Sequence, residues 1–373
     1  MLQVTVMGAG VAGLTCAVEL AERGVDVEVV DRAEKLGAAS CSWYAGGMLA
    51  PWCELESAAP LIAKLGLESI AWWRERLPGG SSSGAVAPGG TLAAGATLAP
   101  NGILTPNGIL ALNGSLVVAH GRDSGELTQF SRRTEQFEWL DGEAMGRLEP
   151  DLAGRFNKAL FFKDEGHLDP RATLEFLVRR LEELRVPIRF GVTLAVAPAC
   201  WGTPSSSRQV VDCTGLAARN VLSDLRGVKG EMLLLKLRDV SLSRPVRVLH
   251  PRMPLYIVPR GDGLFMVGAT MIESDQPTRI SARSMLELLS AAYALHPAFG
   301  EAEIVEIGTG VRPAFPDNLP RVCWYNDTLY VNGLFRHGFL LAPALARRVA
   351  GILLEERYFP EVQGEDPGER QLA

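Results

Sequence analysis

An α/β domain interleaved with an α+β domain built on an antiparallel sheet is the fold this sequence predicts, on three observations. Residues 2–31 read as strand, helix and second strand, residues 228–270 carry three consecutive strand-like runs, and elements of the first kind resume near the end of the chain. The 373 residues also exceed what one ordinary core accommodates.

At the amino end, "LQVTVM" (2–7) is short, apolar and β-branched. Val11 to Arg23 then places apolar residues at helical spacing until Gly24 stops it, and "VDVEVVD" (25–31) alternates as a strand. Gly8, Gly10 and Gly13 stand between first strand and helix as GxGxxG. Gly8 permits the tight turn, Gly10 lets backbone approach a pyrophosphate at the helix amino end, and Gly13 lets helix and strand pack. Asp31 closes the second strand, where an acid can accept from a ribose hydroxyl. The unit is Rossmann-like and predicts dinucleotide binding.

"GAASCSWYAGGMLAP" (37–51) is rich in small residues and reads as a loop for close backbone approach, whereas 59–77 is an amphipathic helix. Gly, Ala, Ser and Pro dominate 79–114, and "PNGIL" occurs at 100–104 and 106–110, which predicts short strands with Asn-Gly turns or an inserted surface element. A strand at "SLVVAH", helices over 124–137 and 141–150, and a strand and loop over 158–170 follow. Asp169 caps a helix over 169–184, and "PIRFG" and "VVDCTG" are strands. "EMLLLKL", "PLYIVPR" and "LFMVGAT" form an antiparallel group, followed by helix 281–295, strand "TLYVNG" and a helix over 342–356. The expected division assigns 1–55, 150–227 and 305–373 to the nucleotide domain. It assigns 56–149 and 228–304 to a substrate domain, with 79–114 as an atypical insert.

Net charge is −6 with Lys and Arg scattered, so nucleic acid is not an expected partner. No apolar run reaches membrane-spanning length and the opening "MLQVTVMGAG" carries no basic leader, so a cytoplasmic protein without a membrane partner is expected. Six dispersed cysteines without a CxxC pair argue against zinc, any other metal site and a disulfide framework. His167 and His337 lack the partners that acid–base chemistry needs.

Nine stretches, in order, carry a resemblance: "MGAGVAGLTCAVELAERG" (7–24), "AGGMLAP" (45–51), "EGHLDPR" (165–171), "DCTGLAAR" (212–219), "VKGEMLLL" (228–235), "YIVPRGDG" (256–263), "VGAT" (267–270), "GVRPAFPDNLP" (310–320) and "FRHGFLLAP" (335–343). Together they resemble the glycine oxidases of the D-amino-acid oxidase superfamily, in particular the thiazole-biosynthesis type. Only 79–114 and roughly 193–208 fall outside it.

The resemblance implies FAD as cofactor, and a small amino acid, glycine first, oxidatively deaminated with molecular oxygen to give hydrogen peroxide. Sarcosine, a D-amino acid, or a dehydrogenase passing electrons to a quinone or a protein are the alternatives. It implies a homo-oligomer by analogy. It also implies a non-covalent flavin, since Cys323 lies beyond the region where similar sarcosine oxidases tether theirs. Arg312 would clamp the substrate carboxylate, Tyr256 would add a hydroxyl, Met271 would line the pocket and Arg336 would sit beside the flavin. Contacts to the cofactor would come from Gly8, Gly10, Val11, Ala12, Gly13, Asp31 and Arg32, then from Ala39, Ser40, Cys41, Gly46, Gly47 and Met48. Val192, Cys213, Gly215, Arg312, Arg336, His337, Gly338, Phe339 and Leu340 would complete them.

Overall fold

Parallel pairing organises the first of three sheets in this computed structural model, which describes residues 2–78, 108–193, 208–250 and 254–363. Gln3–Met7 lies between Asp26–Val30 and Arg208–Asp212, parallel to both, and Thr328–Asn332 extends the sheet in the same sense. Ile188–Arg189 and the antiparallel Arg321–Tyr325 form its two edges. Both faces are covered, so central strands such as "VTV" and "TLYVN" are continuously buried rather than alternating. Helices Val11–Glu22 and Gly338–Glu355 share one large core with these strands, and Leu14, Val18, Leu341 and Leu345 are buried in it.

The nine-stranded second sheet is largely antiparallel, with Arg226–Lys236, Leu264–Gly268, Leu255–Gly261 and Val246–Leu249 adjacent in that order. Among the described residues its one parallel contact joins Val246–Leu249 to Ser115–Ala119. Glu303–Ala314 pairs along the whole of Arg226–Lys236, setting Gly230 opposite Gly310 and Val228 opposite Arg312. A third, three-stranded sheet of Met48–Leu49, Gly166–Leu168 and Leu110–Ala111 joins the two layers.

Two stretches lie across the boundaries drawn from sequence. Helix Pro60–Arg76 packs in the core of the parallel layer: Trp72 Nε1 donates to Glu19 Oε2 (2.7 Å) and Trp73 Nε1 to the Phe339 carbonyl (2.8 Å). Strand Glu303–Ala314, of which the expected division gave 305–314 to the last nucleotide segment, belongs to the large sheet. The helix expected over 342–356 begins at Gly338 and runs through Pro343. Proline removes the N–H that would bond the Phe339 carbonyl, and the Trp73 indole supplies the missing donor. The first "PNGIL" segment and the first two residues of the second lie outside the described residues. Asp169 caps its helix as expected, accepting from the Ala172 N–H at 2.9 Å.

Candidate active site

The glycine corner forms because two of its positions, Gly8 and Gly13, leave no room for a side chain and the third, Gly10, leaves little. Gly8 adopts φ +99°, and a Cβ there would lie 2.7 Å from the Cys213 carbonyl oxygen. A Cβ on Gly13 would collide with the Gly8 carbonyl oxygen, which is the helix–strand packing role read from the motif. Gly10 faces the Ser40 hydroxyl, and the Val11 N–H donates to Ser42 Oγ at 3.2 Å. Asp31 pins this turn, accepting from the N–H of Ala9 (2.6 Å) and of Ala33 (2.7 Å). Each carboxylate oxygen keeps a second lone pair for a further donor. Arg32 and Ala39 are exposed beside it, and the Val192 N–H donates to the Asp31 carbonyl at 2.9 Å. Cys213 is buried, and its thiol's hydrogen bond to Cys16 together with burial raises its pKa, so it is a packed thiol.

A second glycine shelf follows at Ala45, Gly46 and Gly47. A Cβ on Gly46 would lie 2.7 Å from the Tyr256 ring, and Gly47 has φ +69° against the Leu168 carbonyl. Arg260, buried under the shelf, donates to the carbonyls of Ala45 (3.1 Å), Gly46 (2.8 Å) and Leu168 (2.9 Å). Nothing in the motif "YIVPRGDG" marks Arg260 for this role, because its partners lie 92 or more positions away.

One pocket opens between this shelf and the amino end of Gly338–Glu355. Gly46, Gly47, Met48, Tyr256, Met271 and Arg312 line it on one side, and Arg336, His337, Gly338, Phe339 and Leu340 on the other. The first N–H groups of a helix have no intrahelical partner, and His337 makes no side-chain cap, so this helix presents bare donors to the pocket. Gly338 lies against Val11, so the pocket's helix end adjoins the glycine corner.

Glu54, missed in the sequence, organises the charges here. Its Oε2 pairs with Arg336 Nη2 and with His337 Nε2 (2.8 Å), and its Oε1 lies 3.8 Å from Arg247. Burial alone would raise its pKa, but Arg336, His337 and Arg247 outweigh it and hold the carboxyl well below the usual range. Arg336 also approaches the Met271 sulfur (3.8 Å) and donates to Ser57 Oγ (3.0 Å). His337 is neutral at neutral pH, since burial lowers its pKa more than Glu54 raises it. Burial likewise pushes His167 down to about 3. Neither histidine is poised as an acid near neutrality.

Arg312 differs from the other two pocket arginines. Its Nη1 donates to the Thr270 carbonyl at 3.1 Å, its guanidinium lies over Gly230, and among the described residues no carboxylate pairs with it. Burial raises the Tyr256 pKa, so its phenol stays protonated and able to donate. Cys323 lies away from the pocket, in the strand Arg321–Tyr325, packed with Phe315 and Tyr330.

Below the pocket, the Cys53 N–H donates to Glu165 Oε1 (2.7 Å) and the Ser115 hydroxyl contacts Oε2. Burial raises the Glu165 pKa to about 8, so the group is neutral when folded and ionised when unfolded between about pH 4.3 and 8. The unfolded state then binds fewer protons, and stability falls as pH rises through that window. Glu165→Gln reproduces the neutral acid's hydrogen bonds without the titration. Its thermal midpoint should exceed the wild-type value at pH 8, with the gap narrowing by pH 5, as a set of melts across that range would show.

The glycine corner and the bare helix end supply, in neighbouring parts of the fold, the backbone donors that a flavin dinucleotide requires. The family model described as FAD dependent oxidoreductase matches residues 3–352. The chain is 51% identical over 360 residues to a putative thiamine biosynthesis oxidoreductase ThiO of Rhizobium etli, covering 96% of this chain and 99% of that protein. It is 26% identical to a glycine oxidase of Pseudomonas aeruginosa over 94% of each chain. Among solved structures, a glycine oxidase of Geobacillus kaustophilus superposes with TM-score 0.73 at 22% identity, covering 97% of both chains.

Proposed function

Since the chain belongs to the FAD dependent oxidoreductase family, we propose that it is an amino-acid oxidase acting on glycine or a similarly small amino acid, with oxygen as acceptor. The observation that carries this reading is Arg312, a pocket guanidinium without a carboxylate partner among the described residues, while Glu54 engages Arg336 and Arg247. A guanidinium matches a carboxylate with two parallel bonds, and the protonated Tyr256 hydroxyl adds a third donor. The two would hold the substrate so that its Cα faces the Gly46–Gly47 shelf.

When bound, FAD supplies two-electron oxidation at the Cα–N bond, with oxygen as the final acceptor. A flat ring would lie in the pocket beside the backbone of Ala45 to Met48, and the bare N–H groups at Gly338 to Leu340 favour negative charge there. The imine released from glycine hydrolyses to glyoxylate and ammonia. No protein base is required, in keeping with a Glu54 held ionised by its arginines and neutral histidines. Positioning then carries much of the rate, because orienting the reacting C–H removes an entropic barrier. Non-covalent cofactor binding is part of the proposal and is supported by the placement of Cys323 in a separate cluster. A role in making the thiazole of thiamine is supported by the Rhizobium etli relative. A cytoplasmic setting is also proposed; no helix among the described residues is long and apolar enough to cross a membrane.

Peroxide formation measured with glycine, sarcosine, D-alanine and D-proline tests the reading. Glycine is expected to give the highest kcat/KM. Absence of peroxide from all four, with fast turnover once a quinone is added, would replace the oxidase by a dehydrogenase.

A further inference from the structure

Behind Arg312 lies an ionic pair that the proposed reaction does not use. Lys229 and Glu231 flank Gly230 on the strand Arg226–Lys236, so their side chains leave the sheet on the face opposite the one that Arg312 covers. Both are buried. The Lys229 ammonium uses all three donors, to Glu231 Oε1 (2.7 Å), Thr278 Oγ1 (3.0 Å) and the Arg279 carbonyl (2.9 Å). Glu231 in turn fixes Thr270 at three points. Its Oε2 accepts from the Thr270 hydroxyl (3.2 Å), its N–H donates to Thr270 Oγ1 (2.9 Å), and its carbonyl accepts from the Thr270 N–H (3.2 Å). The Thr270 carbonyl is the acceptor that holds Arg312, and its neighbours Ala269 and Met271 line the pocket.

We infer that the Lys229–Glu231 pair is a positioning device for Arg312, acting through Thr270, an inference that rests on reading Arg312 as the receptor for the substrate carboxylate. A buried ion pair contributes little net stability compared with apolar residues of the same volume, but a fully satisfied network holds one geometry. Arg312 needs such a hold from a neutral group. A carboxylate beside it would fix the guanidinium and also compete with the substrate for it. The structure places the fixed charges one residue further away and presents only a backbone carbonyl to the guanidinium.

Glycolate, which has a carboxylate but no amine, probes this directly when titrated into the FAD-loaded enzyme and followed by flavin absorbance. Thr270→Val is expected to raise the glycolate Kd and the glycine KM roughly tenfold, the scale of one hydrogen bond to a charged group. Thr270→Ser should restore both, and Glu231→Gln should weaken binding in the same direction. In an Arg312→Lys background the Thr270→Val effect should nearly vanish, because both changes act on one contact. Wild-type glycolate affinity in folded, FAD-loaded Thr270→Val or Glu231→Gln enzyme overturns the inference. If the wild-type enzyme itself does not bind glycolate, the reading of Arg312 fails, and this inference with it.

Discussion

Replacing Gly230 with alanine is expected to raise the KM for the amino-acid substrate about a hundredfold while the chain stays folded and loaded with FAD. A Cβ at position 230 would land on the Arg312 guanidinium, which lies flat over the glycine. Arg312 would have to swing away, losing the Thr270 carbonyl and its aim into the pocket. Gly230 carries no positive φ, so alanine suits the backbone and the effect is steric at one side chain. Steady-state kinetics, flavin content and a thermal melt separate the outcomes. An unchanged KM would mean that Arg312 does not bind substrate from its observed position.

Glu54→Gln should be the most destabilising of the single changes considered, by roughly 3 kcal/mol. Glu54 is mostly buried and faces Arg336, whose charge would be left without a counter-ion, and Arg247, which would keep only Glu56 at 3.9 Å. Because its folded pKa is depressed, Glu54 contributes stability above the ordinary carboxylate pKa, and this is lost progressively as pH falls toward the folded value. The gap between wild type and variant should therefore be full at pH 7 and smaller near pH 3.5, read as the difference in urea midpoint on FAD-loaded protein. A gap independent of pH would show that the ionised carboxylate is not what Arg336 requires.

Much of this architecture was legible because it is local. The glycine corner announces itself through spacing, and Gly8 and Gly13 occupy the turn and packing positions that the spacing assigns. Asp169 caps its helix within three residues of its partner, which is the range a sequence pattern reports, whereas the Ser281 cap of the helix Ala282–Leu295 was not read in advance. Glu54 was invisible for the opposite reason: Arg336 is 282 positions away, and nothing in "PWCE" marks that acid as a partner. The start of the last helix was misplaced by four residues, because Pro343 reads as a helix beginning unless the Trp73 donor is known. The domain limits shifted for a related reason. Strand Glu303–Ala314 has its first residues largely exposed, and only its pairing with Arg226–Lys236 assigns it to the large sheet.

The reading of the candidate site turns on where the substrate carboxylate rests. A crystal structure of the FAD-loaded enzyme with glycolate tests it most directly. The glycolate carboxylate is expected to pair with the Arg312 guanidinium within hydrogen-bond reach of the Tyr256 hydroxyl. A carboxylate held instead by Arg336 or Arg247, with Arg312 still bonded only to Thr270, would contradict it.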